Sequence, residues 1–378
     1  MVASDNAAGA PALTVEGWDR LGWRLFRRLF QLGLRLPEPI LSRLAGPPGV
    51  APGIPPLDAR ARFHAWFVTR FRSPTGDEPW ERRLPSLLSL ALLDGRPPAT
   101  VTCTQTTVAG PAGPLPSRLY RPASAPAHKA PILVYFHFGG CVLGDLDTCH
   151  TACATIADKA GCLVLSVAYR LAPEHRFPAA LDDAVAAFRW ARTCAHSLGG
   201  DPQRIALGGD SAGGYLAAAA SLSLRDLGEP LPCLQVLIYP VLEMDRRAMP
   251  PTVFDDNYPL TRDDMIWFSD LYMHDAGDAR DPRCSPARAD SLCGLPPTLL
   301  VQAGHDLLYD EGEAFGRRLT GEGVALTRLA YPTLPHAFTA MAGGLPGARL
   351  ALEEIAGEIA AGFARAKPQP AHPGKVHS

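Results

Sequence analysis

With 378 residues the chain has room for one large α/β domain with an appended element, or for two ordinary domains. Its composition, 47% hydrophobic and 20% charged, excludes a disordered or fibrous protein, and 38 prolines imply many stiff connections. A formal charge of -2 excludes long-range attraction to nucleic acid or to anionic membranes as the basis of recognition, so specificity must come from a local site.

Nine cysteines scattered from Cys103 to Cys293 are odd in number and lie outside a short secreted frame, which argues for reduced thiols in a cytoplasmic setting. Cys149, His150 and Cys153 have no second ligand pair at matching spacing, so no zinc site is expected. The N-terminus lacks the basic start and apolar stretch of a secretory signal, and no segment offers about 20 uninterrupted apolar residues, so no stable membrane insertion is expected.

In chain order, residues 17 to 44 place Leu21, Leu25, Leu29 and Leu32 at helical spacing among arginines, an amphipathic helix that ends or kinks before Pro37. Its readings are a lid, an ordinary helix covering the core, or a membrane-surface segment. GPPGVAPGIPP, 46 to 56, reads as a stiff linker, and a second helix is expected near 58 to 72. Strand-like runs then begin at residues 101, 117, 131, 162, 204, 233, 298 and 325, most of them separated by helical stretches. This alternation predicts an α/β fold, a mainly parallel sheet covered on both faces, with chemistry in the loops after the strands. The stretch from about 243 to 290 interrupts the alternation and reads as an insertion able to join the N-terminal helices in a cap. A last helix puts Leu352, Ile355, Ile359 and Phe363 on one face, and the tail beyond it is expected to fray. The expected organisation is therefore a cap segment and linker at 1–98, a catalytic domain at 99–367 with the insertion, and a tail at 368–378.

Gly209-Asp210-Ser211-Ala212-Gly213 matches G-x-S-x-G where strand-like RIALGG meets helix-like AGGYLAAAASLSL. The glycines permit a sharp turn that lifts the Ser211 hydroxyl above the sheet, a candidate nucleophile. A serine needs a base, and the base needs an acid to orient it. His336 follows the last strand-like run and is the candidate base, ahead of His305, His274, His372 and His377. Asp306 follows TLLVQAG and is the candidate acid, with Asp310 and Glu311 as rivals deeper in the next helix. In His137-Phe138-Gly139-Gly140, at the end of PILVYFHF, the amides of Gly139 and Gly140 join that of Ala212 as candidate oxyanion donors. Phe138 and Asp210 are assigned to substrate binding.

HFGGCVLGDLDT, YRLAPEHRFPAALDD at 169 to 183, GDSAGG at 209 to 214, AGHDLLYDEG and PHAF together resemble the hormone-sensitive-lipase family of α/β-hydrolases over roughly residues 100 to 365. The resemblance implies an eight-stranded α/β-hydrolase sheet with helices on both faces, a helical cap from the N-terminal helices and an insertion, no cofactor, and hydrolysis of short-acyl esters. The chain departs from the family pattern at Phe138, where HGGG becomes HFGG, at Leu307-Leu308 after the acid, and at Ala337 after the base. The family's oxyanion donors map onto Gly139 and Gly140, which are intact. The block around Tyr169, Arg170 and Glu174 reads as structural, with a buried Arg-Glu pair expected to fix loop geometry.

The expectation is a serine carboxylesterase acting on small ester molecules with short to medium chains, without nucleic acid, and with homo-oligomerisation left open. The alternatives are an amidase or deacetylase using the same triad, a long-chain lipase, and a non-catalytic ligand-binding homologue, which in this family lacks the base histidine.

Overall fold

The computed structural model describes residues 20–46, 53–71, 81–82 and 89–366. The expected tail at 368–378, with His372 and His377, and part of the 46–56 linker lie outside the described residues. The helices are α1 (Arg20–Gly33), α2 (Glu38–Ala45), α3 (Ala59–Phe71), α4 (His150–Ala160), α5 (Ala179–Cys194), α6 (Ala212–Asp226), α7 (Arg262–Tyr272), α8 (Tyr309–Gly321) and α9 (Pro346–Arg365). The strands are β1 (Val101–Gly110), β2 (Gly113–Pro122), β3 (Ala130–Phe136), β4 (Leu163–Val167), β5 (Gly200–Asp210), β6 (Gln235–Ile238), β7 (Thr298–His305) and β8 (Leu326–Pro335).

All eight strands form one sheet in the order β1-β2-β4-β3-β5-β6-β7-β8. β2 pairs antiparallel with both β1 and β4, and every other pairing is parallel. The pleat sends alternate side chains to opposite faces. Ile132, Val134 and Phe136 of β3 therefore enter one core, with residues of α5 and α6. Leu133 and Tyr135 enter the other, with residues of α4 and α9. Both faces of a parallel sheet must be covered, which is why the central strands β3, β4 and β6 are buried along their whole length rather than alternating. Leu352, Ile355, Ile359 and Phe363 of α9 are buried in the second core, each worth roughly 1.5–3 kcal/mol of transfer free energy.

The N-terminal segment packs on this second core, but not by the face its leucines suggest. Leu25, Leu29 and Leu32 are more than half exposed, whereas Phe30 and Leu34 are buried. Phe30 meets Phe63 and Phe67 of α3 at centroid distances of 5.8 and 4.8 Å. Arg27 and Gln31 donate to the Asp94 carbonyl at 2.8 and 3.1 Å, fastening α1 to the chain that leads into β1. The helical stretch ends before Pro37, as its sequence predicts: α1 ends at Gly33 and α2 starts after Pro37, whose ring cannot continue a hydrogen-bonded helix. The 243–290 stretch contains α7 and short turns, and Tyr258 within it meets Ser89 (O–O 2.5 Å) and the His64 ring (5.4 Å) of the N-terminal segment. Among the described residues no helix is long and apolar enough to cross a membrane.

Candidate active site

β5 ends in Gly209-Asp210 and α6 begins at Ala212, leaving Ser211 alone at the corner with φ 54° and ψ -116°. That backbone is strained for a residue with a side chain, and it is held because neighbouring chain leaves no other path. A Cβ on Gly213 would lie 1.9 Å from the Phe136 carbonyl oxygen, and one on Gly209 would lie 2.4 Å from it. The motif glycines are thus required by the close passage of β3, in addition to the turn itself.

The structure brings Ser211, His336 and Asp306 together, although they come from three separate loops. Ser211 Oγ lies 2.9 Å from His336 Nε2, and His336 Nδ1 lies 2.6 Å from Asp306 Oδ2. A carboxylate can only accept, so Nδ1–H donates to Asp306 and Nε2 is left to receive the Ser211 hydroxyl proton. Asp306 Oδ1 takes the Leu308 amide at 3.0 Å, which fixes the carboxylate plane. All three side chains are almost wholly buried. Ala337 adopts a left-handed conformation, φ 58° and ψ 22°, where the resembling family has glycine. An L-residue pays about 1–2 kcal/mol for that conformation.

The rival groups go elsewhere. Asp310 is exposed in the first turn of α8. Glu311 is buried, bonds Arg246 at 2.5 and 2.8 Å, and receives the Leu242 amide at 2.8 Å. Burial raises its pKa and Arg246 opposes that rise. His305 donates to the Pro55 carbonyl at 2.7 Å and packs on Phe254, while His274 donates to the Phe177 carbonyl at 3.0 Å. Burial lowers the His305 pKa.

Beside Ser211, the turn after β3 holds Gly139 at φ 124° and Gly140 at φ 63°. Gly139 cannot carry a side chain, since its Cβ would fall 2.2 Å from the Leu143 carbonyl oxygen. Its own carbonyl closes the turn by accepting from Val142 and Leu143 at 3.0 and 2.7 Å. Among the described residues no backbone carbonyl takes the Gly139 or Gly140 amide. Phe138 is 7% exposed and stands outside both core clusters. Phe268 of α7 lies against Gly140, where a Cβ would come 2.3 Å from the ring. Tyr169 donates to the His137 carbonyl at 2.7 Å and stacks on the His137 ring at 4.4 Å, anchoring the start of the turn. Burial lowers the His137 pKa.

Two expectations are corrected. The partner of Arg170 is Asp183, not Glu174: the guanidinium grips the fully buried Asp183 carboxylate at 2.8 to 3.0 Å, while Glu174 is exposed. Asp210 does not present its side chain to a substrate. Its carboxyl is fully buried and accepts from Thr339 Oγ1 at 2.6 Å and from the Tyr239 hydroxyl at 3.2 Å. Burial raises its pKa. Asp210 adjoins Ser211 and Thr339 lies three residues past His336, so this network joins the two turns from beneath. The Tyr239 ring also supports His336 at 4.8 Å. Tyr239 and Thr339 were not singled out from the sequence, because an isolated tyrosine or threonine carries no local signature of a supporting role. Among the described residues no three His, Cys, Asp or Glu side chains converge as a metal site. The His150 ring is instead hydrogen-bonded through Nδ1 to the Tyr120 hydroxyl at 2.9 Å.

A family model described as an alpha/beta hydrolase fold matches residues 133–340. The carboxylic ester hydrolase LipN of Mycobacterium tuberculosis is 43% identical over 248 residues, covering 64% of this chain and 65% of LipN, just under two thirds of that relative. An ethyl acetate hydrolase of Pseudomonas putida is 41% identical over 231 residues, covering 60% of this chain and 72% of the relative. Among solved structures, an ester hydrolase from the metagenome of Lake Arreo superposes with a TM-score of 0.74 at 37% identity, covering 79% of this chain and 95% of that one. With more than half of its length inside the family match and an eight-stranded sheet of that fold, the chain belongs to the α/β-hydrolase fold family, in its hormone-sensitive-lipase branch.

Proposed function

We propose that this chain hydrolyses short- to medium-chain carboxylic esters through an acyl-enzyme on Ser211. The observation that carries the reading is the buried relay from Asp306 to His336 to Ser211, with separations of 2.6 and 2.9 Å. The naming of relatives as carboxylic ester hydrolase and ethyl acetate hydrolase supports esters as the substrate class, small ones included. The presence of His336 favours catalysis over ligand binding alone.

In the proposed cycle Ser211 gives its proton to His336 Nε2 as Oγ adds to the ester carbonyl carbon. Negative charge gathers on the former carbonyl oxygen, and the amides of Gly139, Gly140 and Ala212 stabilise it by donating hydrogen bonds. Asp306 holds the imidazolium and its tautomer. His336 then returns the proton to the departing alkoxide, releasing the alcohol and leaving an acyl group on Ser211. Water repeats the sequence: its proton goes to His336, its oxygen bonds the acyl carbon, and Ser211 Oγ leaves reprotonated.

The N-terminal segment and residues 243–290 cap this site in our reading. Phe268 against Gly140 and the Ser89–Tyr258 bond support it. Phe138 and Phe268 beside the oxyanion turn favour short to medium acyl groups. The nine free cysteines favour a reducing, cytoplasmic setting. The test is fluorophosphonate labelling with kcat/KM on p-nitrophenyl esters from acetyl to palmitoyl. Ser211→Ala should abolish labelling and lower kcat by several orders of magnitude with the fold intact. Labelling that persists at another serine, or activity confined to anilides, would sink the proposal.

A further inference from the structure

Helix α1 is apolar on two sides and the body of the protein uses only one. Phe30 and Leu34 are turned inward, so Leu25, Leu29 and Leu32, at i, i+4 and i+7, are turned out together. Leu36, Ile40 and Leu44 continue the exposed aliphatic run through the next turn and α2. Six of the ten large hydrophobic side chains exposed among the described residues thus fall within twenty consecutive positions. Clustering of this kind is a feature of interaction surfaces rather than of ordinary solvent-facing helices.

Charge says what would cover it. Arg28 lies three residues after Leu25 and four before Leu32, Arg35 lies three after Leu32, and Arg43 lies three after Ile40, and all three arginines are exposed. Glu38 is the only carboxylate in the run from 25 to 44. Aliphatic side chains flanked by arginines suit an interface where hydrocarbon lies just beneath negative charge. A second copy of the chain fits worse, since a two-fold pairing of this face sets arginine against arginine. The net charge of -2 for the whole chain makes this a local attraction, not one of the protein at large.

We propose that the α1–α2 face docks the protein peripherally on an anionic lipid surface, the leucines entering the headgroup boundary and the arginines meeting phosphate. No span or insertion of a helix is involved. The inference is independent of the esterase reading, because its readout is binding.

The full chain should be floated with vesicles of phosphatidylcholine alone and of phosphatidylcholine with 30 mol% phosphatidylglycerol, at low and at 0.5 M salt. Binding is expected on the phosphatidylglycerol vesicles at low salt, reduced at least tenfold at 0.5 M salt and on phosphatidylcholine alone. Leu29→Glu/Leu32→Glu and, separately, Arg28→Glu/Arg35→Glu should each reduce it at least tenfold, while Leu350→Glu on α9 leaves it unchanged. Melting curves of each variant identify any that fail to fold, and the arginine pair, wholly on the surface, keeps the test open if the leucine pair does. Absence of binding, or binding that none of these changes reduces, overturns the proposal. So does a concentration-dependent dimer abolished by the leucine pair, or binding that arises only once residues 2–17 are removed, which would assign the face to a second copy or to the chain's own N-terminus.

Discussion

Asp306 and Asp310 are four residues apart and chemically identical, yet their surroundings give them opposite prospects. Asp306 is buried against His336 and receives a backbone amide, whereas Asp310 faces water at the start of α8. Asp306→Asn removes the acceptor that holds the Nδ1–H tautomer, and a change of that kind lowers kcat by about 10⁴-fold in a serine triad. Asp310→Asn should stay within about twofold, as exposed carboxylates contribute little to stability or to a distant site. Steady-state kinetics of the two folded variants on p-nitrophenyl acetate decide the assignment, and the reverse ranking would move the acid to α8. The position of Asp306 directly after a strand was readable from the sequence. The partner of Arg170 was not: Asp183 lies thirteen residues on, in α5, and only the packing of that helix against the loop brings it closer than Glu174.

At the scale of elements, the inner strands were legible as short apolar runs bounded by turn residues, because a sheet buried on both faces allows little else, whereas the largely exposed β1 and the alternating β8 were legible by their β-branched and alternating residues. The orientation of α1 was not legible. Periodicity shows that apolar residues share a face, but this helix has a leucine face and an aromatic face, and the larger rings of Phe30 and α3 claim the interior. Contacts between elements distant in sequence were equally hidden, and α7 is the clearest case. Its Phe268 occupies the space that a side chain at Gly140 would need, in addition to the about 1–2 kcal/mol that φ 63° costs any L-residue. Gly140→Ala should therefore push the turn aside and lose on the order of 10²-fold or more in kcat/KM, the scale of a missing oxyanion donor. Phe268→Ala removes the obstructing ring, so the double variant should recover at least about tenfold over Gly140→Ala alone, a coupling of about 1.4 kcal/mol. Additive losses in that cycle would show that the backbone conformation, not α7, sets the requirement for glycine.

For the molecule as a whole, the joint between the N-terminal segment and the sheet has a titratable group at its centre. Asp94 receives its neighbour Gly95's amide at 2.7 Å and the Thr151 hydroxyl of α4 at 3.0 Å, while its carbonyl takes Arg27 and Gln31 from α1. Desolvation is the largest influence on its carboxyl and raises the pKa to about 6, against the lowering effects of the Gly95 and Thr151 hydrogen bonds and of Arg27. Because the folded pKa lies above the unfolded one, the folded chain holds the proton more tightly and unfolding releases it as pH rises. The stability this group contributes is complete below about pH 3.8, declines as pH rises through about 6, and is gone above that. The difference corresponds to roughly 3 kcal/mol, an order-of-magnitude figure for a shift of about two units. Asparagine keeps an oxygen for the Gly95 amide and an amide that can donate to the Thr151 hydroxyl, but has no charge to desolvate. Asp94→Asn should thus be the more stable protein at pH 7 relative to wild type, with an advantage that shrinks toward pH 4. Urea unfolding of both proteins at each pH from 4 to 8 isolates this group, since every other titration is common to the pair. An advantage that stays flat with pH would mean that Asp94 ionises as readily in the folded chain as in the unfolded one, and an advantage that grows toward acid would reverse the sign of its coupling to the joint.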